Sequence, residues 1–170
     1  GAIRHQLNLP YTAIASRRNL SLLSPSEKEI WQEIHRRSGD LYEKALFFSD
    51  EQVLQSVRWL EKPKHLLGVA LDVHEIEYPQ KRQPFEFLGR QVFLPTAPAR
   101  LAKLAKVPMV PAIMHFDVRT GTHHLQFFPA VQVDTPAAAT QQALKALERQ
   151  VGSDLQQQFF DIAQACSTID

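Results

Sequence analysis

Residues 87–111 read Phe87-Leu-Gly-Arg-Gln-Val-Phe-Leu-Pro-Thr-Ala-Pro-Ala-Arg-Leu-Ala-Lys-Leu-Ala-Lys-Val-Pro-Met-Val-Pro111, and they join a loop, a helix and the entrance of a strand. The spacing of the apolar side chains predicts a helix over 97–106, with Leu101 and Leu104 packed inward. The basic side chains of this helix would then face water or a partner. The apolar residues that follow Pro111 predict a strand directly after the helix.

Strands and helices alternate along the rest of the chain. The predicted strands are 11–16, 65–71, 109–116 and 122–131, the predicted helices are 24–37, 50–62, 97–106, 137–150 and 153–166, and 73–84 is predicted to be a loop. A turn at Thr120-Gly121 makes the last two strands antiparallel candidates. The alternation predicts an α/β fold, with a mixed, mainly parallel sheet flanked by helices, in one domain over residues 1–170.

The helix predicted at 24–37 has the clearest local sequence signals. Ser24 is placed to be the N-cap, Pro25 stands at the first helical position, and Glu27 occupies the capping-box position. Ile30 belongs to the apolar stripe that this helix is expected to bury. The next helix has a similar stripe that includes Leu54.

Composition excludes several classes of protein. The chain has 170 residues, of which 44% are hydrophobic and 22% charged, which suits a globular domain with a sizeable core. Its formal net charge of +1 argues against a nucleic-acid partner. The single cysteine, Cys166, excludes an internal disulfide. No stretch approaches the roughly 18–20 consecutive apolar residues that a membrane-spanning helix needs.

Three polar residues follow the most apolar strand and are the best site candidates by position. Asp72, His74 and Glu75 come directly after the strand predicted at 65–71. Ligands of open α/β sheets collect at the carboxyl ends of strands. The alternative is that these side chains only solvate a strand end, which is usually polar.

Arg17 and Arg18 follow the first predicted strand and are candidates for binding an anion. A guanidinium group can donate two parallel hydrogen bonds to one phosphate. The alternative is an ordinary surface pair that is solvated or takes part in a salt bridge.

Two short patterns together resemble a known family. Gly89-x-x-x-Phe93-x-Pro95 is followed by Val107-Pro-Met-Val-Pro111, and Leu71-Asp-Val-His74 precedes both. This order resembles the second half of the lysophospholipid acyltransferase superfamily, and within it the bacterial lipid A (late acyl) acyltransferases. The resemblance covers roughly residues 2–135, and the remaining C-terminal part fits the family less well.

The resemblance implies an activity, partners and a location. Such enzymes move a fatty acyl chain from an acyl-carrier-protein or coenzyme A thioester to a hydroxyl group of a glycolipid or phospholipid acceptor. They work at the cytoplasmic face of the bacterial inner membrane and need no metal or other cofactor. A contrasting class is a non-catalytic module that keeps the fold and binds a lipid or a carrier protein.

The resemblance also implies roles for single residues. Leu71-Asp72-Val73-His74 is similar to a Pro-Asp-Gln-Asp-like segment that lines the acceptor site, with Asp72 retained and His74 in place of the second Asp. Ser16-Arg17-Arg18-Asn19 is similar to a Tyr-Arg-Pro-Asn segment, which assigns phosphate contact to Arg17, with Arg18 as its substitute. Glu75 adjoins the acceptor segment.

The catalytic motif of the family is a His followed five positions later by Asp or Glu, so that a base can take the proton of the acceptor hydroxyl. His35 and Asp40 are the literal match in this chain. They span a predicted helix end and follow Arg17, whereas the family motif precedes its arginine. A cation at a helix C-terminus is an ordinary explanation for His35. The resemblance therefore places the motif before residue 1, and the domain is expected to lack its N-terminal part.

Two further groups of residues have more than one interpretation. His115, His123 and His124 raise the question of a metal site, but His123 and His124 are neighbours on a predicted strand and would point to opposite faces. No metal site is therefore expected. The second group could form a basic rim for an acidic carrier protein or a membrane surface, or simply a solvated face; it consists of Arg90, Arg100, Lys103 and Lys106.

Overall fold

The computed structural model of this protein describes residues 7–15, 24–38, 47–48, 53–70 and 82–151. The strands are β1 Tyr11–Ala15, β2 Phe47–Phe48, β3 Leu66–Gly68, β4 Arg82–Phe87, β5 Arg90–Pro95, β6 Ala112–Asp117 and β7 Thr122–Phe127, and the helices are α1 Pro25–Ser38, α2 Val53–Leu60, α3 Ala97–Ala105 and α4 Pro136–Val151. The chain divides into two compact units, residues 1–70 and 71–170. The expectation of a single domain stays a prediction.

The first unit contains a small parallel sheet in the order β2-β1-β3. Tyr11 lies opposite Leu66 and Ala13 opposite Gly68, while Ala15 pairs with Phe48 on the other side of β1. Central strands of parallel sheets are covered on both faces. Thr12 in the central strand is fully buried, in agreement with that position.

The capping signals at the start of α1 are confirmed. The backbone N–H of Ser24 donates to Oε2 of Glu27 at 2.7 Å, and the N–H of Glu27 donates to the Ser24 hydroxyl at 3.3 Å. This reciprocal pair satisfies two of the donors that a helix N-terminus leaves free. The buried stripe is not confirmed at Ile30, which is exposed.

The helix α2 packs through a different face from the predicted one. Ser56 and Trp59 are buried, whereas Leu54, predicted to point inward, is 72% exposed. The indole Nε1 of Trp59 donates to the carbonyl oxygen of Leu66 at 2.9 Å. The Trp59 ring also meets the His65 ring edge-on, with their centroids 4.4 Å apart. Docking of one large aromatic side chain against β3 therefore sets the rotation of α2.

In the second unit, β4 and β5 form an antiparallel hairpin whose β4 strand begins inside the segment predicted to be a loop. The two-residue turn is Leu88-Gly89, and both residues have positive φ, 52° and 72°. Positive φ at both central positions is the geometry that matches the twist of a tight hairpin. Pro84 is compatible with β4 because alternate N–H groups of this strand face away from β5, and a proline there removes no ladder bond.

Helix α4 supplies much of the core of the second unit. Its Leu144 and Leu147 join one face of the hairpin and Ile113 in a buried cluster; the hairpin members are Phe85, Phe87, Val92 and Leu94. A second cluster joins Ala139 of α4 to Ala99 of α3 and to Val131. The small residues of α4 let α3 approach closely, and the large ones fill the space under the hairpin.

Helix α3 ends where the apolar pattern predicted, at Lys106 in the left-handed conformation. The N–H of Val107 returns to the carbonyl of Ala102 at 3.0 Å, which closes the helix end. Leu101 is buried as predicted, but Leu104 is exposed. The buried residues of α3 are Ala99, Leu101, Ala102 and Ala105.

The predicted pairing of the last two strands is confirmed. β6 and β7 are antiparallel, with Met114 opposite Leu125 and Phe116 opposite His123. The turn closes with the N–H of Gly121 on the carbonyl of Asp117 at 2.8 Å, and Gly121 takes a φ of 66°.

The predicted fold class is wrong. In the described ranges the parallel part is one sheet of three short strands, and the other strands form two separate antiparallel hairpins. Strand β6 pairs with β7 instead of extending a parallel sheet. Strand β4 pairs with the next strand in the chain, β5. Local hairpin pairing therefore replaces the predicted mixed, mainly parallel sheet flanked by helices.

Candidate functional site

The carboxyl ends of β1 and β3 lie at the same edge of the first sheet, because the two strands are parallel neighbours. Arg17 is two residues beyond the end of β1 at Ala15, and Asp72 is four residues beyond the end of β3 at Gly68. The sheet brings together the strands that precede the two candidate segments.

Most of the residues predicted from the sequence to form the site lie outside the described residues. These are Arg17, Arg18, Asp40, Asp72, His74 and Glu75. Their assignment to substrate binding, or to catalysis for Asp40, stays a prediction. His35 is in the last turn of α1, which ends at Ser38, so the spacing to Asp40 crosses the helix end as expected.

Close packing joins the start of β1 to the end of β3. A Cβ atom at Gly68 would meet the hydroxyl end of Tyr11 and approach its Cζ to 3.0 Å, so the ring occupies the space a side chain would need. The indole of Trp59 is hydrogen-bonded to the backbone of β3 two residues earlier. Rigid elements of this kind are better supports for a binding site than loops are.

In the second unit, two side chains of α4 bind the outer edge of β4. The amide of Gln141 exchanges two hydrogen bonds with the backbone of Glu86, and Oε1 of Glu148 accepts the N–H of Leu88 at 2.5 Å. These contacts hold the Leu88-Gly89 turn and place Arg90 directly after it. Sequence reasoning missed both α4 residues, because their partners are 55 and 60 positions away and no local pattern marks them.

The basic side chains singled out in the sequence are all exposed: Arg90, Arg100, Lys103 and Lys106. This confirms the polar face of α3. Nζ of Lys103 donates to the carbonyl of Asp134 at 2.7 Å and so ties α3 to the segment before α4. Over its full length, residues 71–170, the second unit contains nine Lys or Arg and ten Asp or Glu, a net charge of −1.

The histidines of the last hairpin do not gather at one point. His123 lies opposite Phe116 and His124 opposite His115, which places the adjacent pair on opposite faces as predicted. Nε2 of His124 lies 2.9 Å from the Thr122 hydroxyl. In the ranges that the structure describes, no group of three or more His, Cys, Asp or Glu side chains is arranged to hold a metal ion.

The carboxylate at the hairpin turn is held in its charged form. Hydrogen bonds from the backbone N–H of Arg119, at 2.9 Å, and from the Thr120 side chain lower the pKa of Asp117 below its ordinary 3.8. The Arg119 guanidinium forms a loose ion pair with Asp117 on an exposed turn, with Nε 3.8 Å from Oδ1. We attribute a structural role to this cluster, since its contacts close the turn.

Comparison with known proteins identifies a family for the second unit. A sequence profile of the family described as bacterial lipid A biosynthesis acyltransferase matches residues 75–160, about half of the chain. The matched range contains both antiparallel hairpins, α3 and α4. No curated protein matches the chain. As for helices that could cross a membrane, the described residues contain none of sufficient length and apolar character.

Proposed function

We propose a function for this chain from the family to which it belongs, the bacterial lipid A biosynthesis acyltransferases. In the proposal, the protein transfers a fatty acyl chain from a thioester of acyl-carrier protein or coenzyme A to a hydroxyl group of a glycolipid or phospholipid acceptor. The reaction takes place at the cytoplasmic face of the bacterial inner membrane.

The family match is the observation that carries the proposal, because it spans residues 75–160 and thus most of the described second unit. The geometry of the first sheet supports the roles of Arg17 and Asp72, since the strands before them end at one edge. In the proposal, Arg17 donates hydrogen bonds to a phosphate of the acceptor or donor, with Arg18 as its substitute. Asp72, His74 and Glu75 line the acceptor side.

The chemistry that the site must support is simple to state. The acceptor oxygen attacks the thioester carbonyl, the new C–O bond forms, the C–S bond breaks, and the hydroxyl proton passes through a base to the departing thiolate, which leaves as the thiol. The family resemblance assigns the base to a His followed by an acid. We do not assign it to His35, because that residue is in the last turn of α1 and the spacing to Asp40 crosses the helix end.

Acyl transfer can be tested directly on a polypeptide that contains these residues together with a His followed five positions later by Asp or Glu. Purified protein is incubated with acyl-carrier-protein and coenzyme A thioesters and a detergent-dispersed phosphorylated glycolipid, and both free thiol and acylated lipid are measured. We expect thiol release that depends on the acceptor. Binding of thioester or acceptor without turnover would instead support a non-catalytic module.

Matched variants test the assigned residues. Loss of a charge-assisted hydrogen bond predicts that Arg17→Ala raises KM for the phosphorylated substrate roughly 10- to 100-fold. Arg58→Ala is the control, because Arg58 is an exposed arginine on α2 of the same unit. We expect a comparable loss for Asp72→Asn and none for Glu61→Gln, an exposed acid. Equal effects in each pair would remove Arg17 and Asp72 from the site.

A further inference from the structure

We propose that His115 and His124 form a two-imidazole site that binds Zn²⁺ or a related divalent transition-metal ion. The site lies on one face of the β6–β7 hairpin, towards its turn. The inference goes beyond acyl transfer, because none of the residues placed in the substrate site takes part in it. Its test measures metal binding and not turnover.

Strand register places the two histidines side by side. His115 of β6 lies directly opposite His124 of β7 in the antiparallel pair. Residues that face each other in this way have Cβ atoms about 4.5–5.5 Å apart on the same side of the sheet. Because Zn–N bonds are about 2.0–2.1 Å long, two nitrogens on one tetrahedral zinc ion are separated by roughly 3.3 Å. One imidazole from each strand can therefore reach the same ion while the backbone pairing is kept.

The face that carries the pair is covered at one end and open at the other. Strand alternation places His115 on the same face as Ile113 and Asp117, and His124 on the same face as Thr122. Ile113, away from the turn, is buried in the core of the second unit. His124 and Thr122, near the turn, are exposed. An ion in solution can therefore reach the pair, and water can complete its coordination shell.

A neighbouring hydroxyl group orients the ring of His124. Oγ1 of Thr122 lies 2.9 Å from Nε2 of His124, and Oγ1 of Thr120 lies 2.7 Å from Oγ1 of Thr122. Histidines that bind metals almost always donate their second ring N–H to a nearby oxygen, which fixes the tautomer and the orientation of the ring. With Nε2–H donating to Thr122, Nδ1 of His124 is the metal ligand in this proposal.

Two further polar groups of the hairpin are engaged elsewhere. His123 is on the opposite face, where its ring packs against that of Phe116 with the centroids 4.8 Å apart. The carboxylate of Asp117 accepts hydrogen bonds from the N–H of Arg119 and from the Thr120 side chain. We therefore expect two protein ligands. This number agrees with the finding that the described residues contain no group of three or more ligating side chains.

The type of ligand selects the class of ion. Imidazole nitrogen suits Zn²⁺, Cu²⁺ and Ni²⁺, whereas Mg²⁺ and Ca²⁺ take oxygen ligands. Among the divalent ions of the first transition row, Cu²⁺ binds a given set of nitrogen ligands more tightly than Zn²⁺ does. We therefore expect Cu²⁺ to displace Zn²⁺ and Mg²⁺ not to compete. An ion bound to one residue of each strand also stabilises the folded hairpin, because it binds only the native register.

Calorimetric titration of the whole chain with Zn²⁺ alone tests the proposal. We expect His115→Gln and His124→Gln each to weaken Zn²⁺ binding by about tenfold or more, since loss of even an outer-shell partner of a metal ligand costs that much. His123→Gln is the matched control, because it removes the adjacent imidazole from the opposite face of the hairpin. It should bind Zn²⁺ as the wild type does, and Zn²⁺ should raise the Tm of both.

Three results would overturn the proposal. The first is a wild-type chain that does not bind Zn²⁺ in excess. The second is undiminished binding by His124→Gln or His115→Gln, which would place the ion at other residues of the chain. The third is an equal loss in His123→Gln, which would show that the hairpin contributes only general charge or stability.

A second measurement uses the wild-type chain and so holds even if a variant fails to fold, as judged by circular dichroism. Paramagnetic Cu²⁺ broadens the NMR signals of nuclei close to it. A substoichiometric amount should broaden the backbone amide signals of His115 and His124 before those of Ala139 and Leu144 in α4. Uniform broadening would contradict the proposal. Zn²⁺ binding at this pair in a chain without acyl transfer would reject the proposed function and leave this inference standing.

Discussion

Gln141 of α4 and Glu86 of β4, 55 residues apart in the chain, exchange two hydrogen bonds through one amide group and one backbone unit. The N–H of Glu86 donates to Oε1 of Gln141 at 3.0 Å, and Nε2 of Gln141 donates to the Glu86 carbonyl at 2.8 Å. The side-chain amide takes the place of a neighbouring strand. It satisfies the backbone N–H and C=O groups of Glu86 at the open edge of β4. Covered edges protect a sheet from pairing with another chain.

Removal of this amide should destabilise the second unit. Each net hydrogen bond contributes roughly 0.5–1.5 kcal/mol, so we expect Gln141→Ala to lower the free energy of unfolding by about 1–2 kcal/mol. Gln142→Ala is the control, because Gln142 is exposed and the change in helix propensity is the same. Urea unfolding measures both; equal midpoints would show that the pair adds nothing to stability.

A substitution at Leu88, in the tight turn, should increase the stability of the protein. Leu88 has a φ of 52°, and a non-glycine residue in that conformation costs about 1–2 kcal/mol. Asn tolerates positive φ and is preferred before Gly in such turns, so Leu88→Asn should raise Tm. Leu88→Val should lower it, because a β-branched residue suits this conformation least. A fall in Tm for both variants would mean that the Leu88 side chain itself stabilises the hairpin.

Stability should depend on pH through Glu27. Hydrogen bonds with the Ser24 side chain and backbone lower the pKa of Glu27 below its ordinary 4.5. A carboxyl whose pKa is lowered by folding contributes stability above its ordinary pKa, and that contribution disappears as the pH falls through the lowered value. The difference in stability between wild type and Glu27→Gln should therefore shrink on acidification below 4.5. Unfolding at a series of pH values measures this difference, with Glu29→Gln as the exposed control on the same helix. A difference that does not depend on pH would contradict the capping role.

The core under the β4–β5 hairpin should be sensitive to truncation. Leu144 is fully buried against Phe87 and its neighbours, and loss of a buried leucine side chain costs about 2–5 kcal/mol. We expect Leu144→Ala to destabilise the protein by that amount and Leu104→Ala, at an exposed position, to have little effect. Denaturant midpoints with unchanged slopes would confirm that both variants unfold in the same way; comparable losses would place Leu104 in a contact that the structure does not show.

Elements with their own local signals were predictable from the sequence. The capping pair of Ser24 and Glu27, the turn at Gly121 and the start of α4 at Pro136 all depend on residues within four positions of each other. Such signals act before any tertiary contact forms. The corresponding helices and the last hairpin were therefore placed almost correctly.

Elements that depend on distant contacts were not predictable in the same way. Residues 73–84 were predicted to be a loop, and only the pairing of β4 with β5 reveals that the missing N–H of Pro84 belongs to the outer edge of a strand. Leu54 was expected inside because it is apolar, but the docking of Trp59 on β3 turns α2 the other way. For the site, the sequence supplied candidates and a family, and the parallel register of β1 and β3 adds the common edge from which two of the candidate segments depart.

The dependence of the β4–β5 hairpin on α4 has a consequence for folding during synthesis. An isolated two-stranded hairpin is at best marginally stable in water, and Gln141 and Glu148 follow their partners by 55 and 60 residues. At a synthesis rate of about 5–20 residues per second, Gln141 and Glu148 are added to the chain roughly 3–12 seconds after the β4 residues that they bind. During that interval the aromatic side chains of β4 are accessible to chaperones. The core under the β4–β5 hairpin can form only after α4 has left the ribosome.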